Sequence, residues 1–88
     1  MLIATPKDAE SVEFFQIDWT GALGADTIAA SKWELPNADL AINSQTNSAT
    51  TATVELANGE PGVTYTIKNV VTLASGEVLV QSLLIPVV

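Results

Sequence analysis

Apolar and polar side chains mostly alternate along this chain, a period of two that belongs to half-buried strands, and few windows repeat at helical spacing. Thr and Val are abundant, as a pleated surface prefers. The pattern predicts seven strands. The first covers about Leu2 to Thr5, where Pro6 ends ladder donation and suits an edge. The second, Val12 to Trp19, lines Phe15, Ile17 and Trp19 on one face with Gln16 and Asp18 on the other. The third, about Thr27 to Leu35, sets Trp33 and Leu35 against Lys32 and Glu34, and Pro36-Asn37 ends it.

A short fourth strand, Leu40 to Asn43, is expected to run into a polar loop at Ser44-Gln45-Thr46-Asn47-Ser48, whose side chains can satisfy its backbone in Asx and Ser/Thr turns. The fifth, Ala49 to Leu56, points Ala52, Val54 and Leu56 one way and Thr51, Thr53 and Glu55 the other. Asn58-Gly59 and Pro61-Gly62 then form a double turn signal. A tight hairpin and a corner crossing between two sheets both fit it. Val63, Tyr65, Ile67, Asn69 and Val71 alternate along the sixth strand, and Ser75-Gly76 reads as the hairpin into the last, about Glu77 to Val88. The one helical temptation is Gly21 to Ala30, weakened by two glycines in its first four residues.

Seven short strands with regular turn signals predict an all-β, immunoglobulin-like antiparallel sandwich, with a small barrel as the competing architecture. Phe15, Ile17, Trp19, Trp33, Val54, Leu56, Tyr65 and Ile67 are the expected core. Tyr65 stands a few residues after Pro61-Gly62, where its hydroxyl could bond back to the turn as a tyrosine corner does. Eighty-eight residues leave room for one domain, residues 1 to 88, and a chain of that size removes only roughly 60 to 65 % of its unfolded surface from water. Without cysteine there is no disulfide to supplement so thin a core.

Charge and residue types narrow the chemistry. Ten acidic residues, three lysines and no histidine give a net charge of -7, and Lys7, Lys32 and Lys68 lie apart along the chain as scattered cations. A duplex-binding surface, which needs several cations to displace counterions, is not expected, and an anionic membrane surface is disfavoured for the same reason. No apolar run approaches the ~20 residues that span a bilayer, and the start resembles no secretory signal.

Without histidine or cysteine, the usual nucleophile pairs and zinc sites have no ligands. An Asp18/Asp26 carboxylate pair is the remaining hydrolytic idea, but acidic residues on small β-domains ordinarily form a solvated face. Calcium would suit Asp8, Glu10, Asp26 and Asp39, yet whole strands separate them. No cofactor is expected. Trp19 and Trp33 could stack on sugar rings, which keeps a carbohydrate-binding or host-adhesion module as the rival reading; their alternating positions favour the core.

The last strand is apolar on both faces over Leu83-Leu84-Ile85-Pro86-Val87-Val88. If Leu83, Ile85 and Val87 enter the core, Leu84, Pro86 and Val88 point outward. That stripe is either covered within the domain or is a subunit contact, and a contact is the preferred reading. Pro86 lacks a ladder donor and is expected to place the strand end at an edge.

Four segments, Phe15-Gln16-Ile17-Asp18-Trp19, Asp26 to Trp33, Thr51 to Leu56 and Gly62 to Asn69, resemble in order and spacing the fibre-tail adaptor proteins of tailed phages. Lys7-Asp8-Ala9 stands in place of that family's opening Lys-Asp-Pro-like segment, with Ala9 where Pro is common, and the last strand is more apolar than the family's usual one. The similarity covers about Pro6 to Val87. It implies an immunoglobulin-like, non-enzymatic structural protein of the virion, made in the host cytoplasm. Its expected partners are neck, tail or fibre components, in symmetric multi-copy assembly.

Overall fold

The computed structural model describes residues 2–4, 6–35 and 39–88, with Leu2 as main chain alone. In chain order its elements are β1 (Leu2–Ile3), β2 (Glu13–Asp18), a single helical turn α1 (Thr20–Leu23), β3 (Ile28–Glu34), β4 (Leu40–Asn47), β5 (Thr51–Asn58), β6 (Thr64–Leu73) and β7 (Val78–Pro86). They form two sheets, ordered β1-β7-β6-β3 and β2-β5-β4. Among the described residues the named strands pair antiparallel except β1 with β7, which is parallel, as is the isolated bridge between Lys7 and Val87.

The alternating positions of both sheets meet in one core. Phe15, Ile17, Trp19, Val54 and Leu56 enter it from the three-stranded sheet and its margin, and Trp33, Tyr65, Ile67, Leu83 and Ile85 from the four-stranded one. Trp19 and Trp33 thus belong to opposite sheets, although the strands that carry them follow one another in sequence.

Two bulges set which residues face inward. Pairing of β3 with β6 slips between Ile28 and Ala30, so that Ile28 lies opposite Leu73 while Trp33 lies opposite Asn69. Without the extra residue the phase of Ile28 would carry Lys32 inward in place of Trp33. Pairing of β4 with β5 slips between Ile42 and Ser44, which brings Gln45 opposite the buried Val54. The Gln45 amide oxygen then accepts the Trp33 N–H at 3.2 Å, linking the neighbouring edges of the two sheets.

That geometry corrects the expected loop at Ser44 to Ser48: β4 continues through Asn47, and the turn chemistry is confined to Ser48. The Ser48 hydroxyl accepts the N–H groups of Thr50 and Thr51 at 3.3 and 3.1 Å, and β5 starts at Thr51, two residues later than its pattern predicts. The Gly21 to Ala30 segment forms one helical turn and then enters β3. The predicted first-strand end at Thr5 and third-strand stop at Pro36-Asn37 lie outside the described residues.

Between β5 and β6 the chain crosses from one sheet to the other, so the double turn signal is a corner, whereas β6 and β7 form the hairpin expected at Ser75-Gly76. Asn58 and Gly59 both adopt positive φ, 65° and 104°. A Cβ on Gly59 would stand 3.0 Å from Val87 Cγ2, so the corner needs glycine for space as well as conformation. The Glu60 N–H donates to the Tyr65 hydroxyl at 2.8 Å, pinning the corner to β6. Tyr65→Phe removes that acceptor and should cost about 1 kcal/mol. In thermal melts a loss of several degrees is expected, and an unchanged midpoint would mean the bond contributes nothing.

Candidate interaction face

The residues opposite in phase to the core form the outer face of the four-stranded sheet. On β7 these are Val78, Val80, Ser82, Leu84 and Pro86, which pair with Thr72, Val70, Lys68, Thr66 and Thr64 of β6. No β7 residue on this face is charged. Ile3 of β1 lies beside Leu84 and is 74 % exposed, and Val78 and Val80 are 57 and 56 % exposed. Leu84 and Pro86 are half-buried and Val88 is 64 % exposed, whereas Leu83, Ile85 and Val87 are buried.

The expectation that Pro86 leaves the strand end at an edge is corrected. β7 is an interior strand: Ala4 N–H donates to Leu84 O, Lys7 N–H to Pro86 O and Val88 N–H to Lys7 O, each at 2.8 Å, while Val87 N–H reaches Val63 O on the other side at 2.9 Å. N–H direction alternates along a strand, so the donor that Pro86 lacks would face the N-terminal segment.

The scattered lysines take on a spatial order. Lys32 and Lys68 both lie on this face, with Val70 opposite Lys32 and Glu34 opposite Lys68. Lys32 Nζ stands 3.1 Å from Glu34 Oε2, both side chains well exposed, so the pair adds little stability.

Lys7 has a different role, which the charge reading missed. It is wholly buried, and its ammonium donates to the carbonyl oxygens of Asp8 at 2.8 Å, Ser11 at 2.6 Å and Asn58 at 2.8 Å. Three donors meet three acceptors, tying the N-terminal segment to the end of β5. A second buried polar group is Asn69. Its Oδ1 accepts the Trp19 indole N–H at 2.9 Å, and its Nδ2 donates to Ser31 Oγ at 2.9 Å and Lys32 O at 3.1 Å. The one sequence signal was a polar residue in the apolar phase of β6.

The other candidates resolve into structural roles. Trp19 and Trp33 are 6 and 4 % exposed, so neither offers a ring face for a sugar to stack on. Asp18 is held below the ordinary carboxylate pKa, first by the Thr20 hydroxyl and then by the Thr20 N–H, and Asp26 first by the Ser75 hydroxyl and then by the Thr27 N–H. Asp18 therefore fastens a local turn, and Asp26 ties the approach to β3 to the β6–β7 hairpin.

A family model described as podophage GP4 fiber-tail adaptor protein gp77 matches residues 7–86. No curated protein matches the chain.

Proposed function

Because the chain belongs to the podophage GP4 fiber-tail adaptor family, we propose that it is a non-enzymatic structural protein of the virion that connects neck, tail or fibre components through the outer face of β7. The chain acts as a single domain, is made in the host cytoplasm and is incorporated in several symmetry-related copies. The observation that carries the reading is the run of uncharged, largely apolar outward residues on β7, extended by Ile3, on a chain of net charge -7. Soluble domains seldom leave such a face without a partner.

The immunoglobulin-like reading of the fold has three supports. The sheet orders β2-β5-β4 and β7-β6-β3 correspond to strands B-E-D and G-F-C of that architecture, whereas β1 pairs with β7 and does not join the B-E-D sheet. Trp33 occupies the position of its buried tryptophan on strand C, and Tyr65 makes the corner bond at the start of strand F. Ile67, two residues on and wholly buried, stands where antibody domains place the second cysteine of their disulfide. The core there is closed by aliphatic packing.

Leu84→Lys tests the contact. The variant should keep its sheet structure by circular dichroism, since Leu84 is on the outer face, and should be depleted from assembled particles roughly tenfold, the effect of about 1.4 kcal/mol lost at a docked site. Wild-type incorporation would overturn the proposal.

A further inference from the structure

The two broad outer faces of this molecule are unlike, and each is unusual alone. On the four-stranded sheet, Lys32, Lys68 and Glu34 carry the only charges on the paired outward positions of β3, β6 and β7. Lys7 is buried, so both exposed lysines of the chain stand on this one face, among Val70, Val80 and Leu84. The opposite face, on the three-stranded sheet, carries Phe14, 66 % exposed, with Glu55 directly across from it and Asp18 further along β2. No lysine lies there.

We infer that the partner of the lysine-bearing face is the Phe14 face of a second copy, the two chains docking front to back. The inference rests on the proposal that the β7 face is a contact surface, and it identifies what covers it. Opposite charges with apolar residues on both sides give each face what the other lacks, whereas front-to-front contact would bring lysine pairs together and back-to-back contact would bring carboxylates together. The principal extents of 40 × 21 × 18 Å give a broad face on the order of 800 Å², the contribution of one partner to a standard specific interface. A front-to-back contact is heterologous, so repetition builds a ring or an open stack rather than stopping at two copies.

Sedimentation velocity on the purified chain tests this. Wild type should self-associate as concentration rises towards ~1 mM, and association should weaken in ~0.5 M salt. Lys68→Glu and Glu55→Lys should each weaken self-association roughly tenfold or more, by placing like charges across the contact. Mixed together they should associate again, because the intact back of the first meets the intact front of the second and the two altered faces carry opposite charges. Circular dichroism on each variant controls for folding. Undiminished self-association of Glu55→Lys would overturn the inference in favour of front-to-front pairing, and a wild-type chain that stays monomeric would overturn it outright. If the chain is monomeric while Leu84→Lys is still lost from particles, the contact face stands and only the second copy is wrong.

Discussion

Lys7→Met is expected to destabilise the protein by about 3 kcal/mol, a large part of the 5–15 kcal/mol that holds a domain of this kind folded. Three main-chain carbonyls, those of Asp8, Ser11 and Asn58, converge on the ammonium in a site with no exposure to water. Methionine fills similar space but donates nothing, so the Ser11 and Asn58 carbonyls lose the ammonium, while that of Asp8 keeps the N–H and hydroxyl of Ser11. Relief of the cost of burying a charge offsets part of that loss. The net should lower the melting midpoint by roughly 15 °C, given 4–8 °C per kcal/mol at this size. The damage should begin locally, because Lys7 binds the N-terminal segment to the β5 end. Amide exchange should quicken first at Lys7, Ala9 and Val88, whose N–H groups bond that segment to the end of β7. A midpoint within ~3 °C of wild type would show that the carbonyls find other donors.

The second large effect lies in the pair Trp19 and Asn69. Asn69→Leu should cost about 2–4 kcal/mol, since it leaves the buried Trp19 indole N–H without its acceptor. Trp19→Phe alone loses ring volume and leaves Asn69 Oδ1 without its donor. The double variant should be more stable than the sum of the two losses by about 1 kcal/mol, because removing both ends of a buried hydrogen bond leaves neither end orphaned. Chemical denaturation of the four proteins measures the cycle. Strict additivity would mean that the bond carries no coupling.

Both predictions concern residues whose importance was hard to read along the chain, for identifiable reasons. Strands with one buried face announce themselves: β2 and β6 alternate cleanly, and the corner bond of Tyr65 follows from turn residues only a few positions away. Lys7 depends on a carbonyl 51 residues further on, and a lone lysine reads as surface charge until the fold brings that carbonyl to it. Asn69 interrupts an apolar phase, a signal that marks a buried polar group but not its partners. The polar half of β4 had no alternation to read, since Ser44 to Asn47 are exposed and pairing with β5 alone makes them a strand. At the candidate contact, Leu84 and Pro86 were legible from the doubly apolar ending. The matching of Lys32 and Lys68 on one surface was not, because only the register of β3 against β6 makes them neighbours.

The sealed environment of Lys7 also makes the protein its own reporter. Of its three side-chain amines, two are open to acylating reagents in the native fold, and the third reacts only when the N-terminal segment lifts away from the Asn58 corner. The number of labels per molecule, followed over time by mass, would count those opening events one chain at a time. In a finished particle the same chemistry would reveal which of the two reactive amines had become shielded by a neighbour.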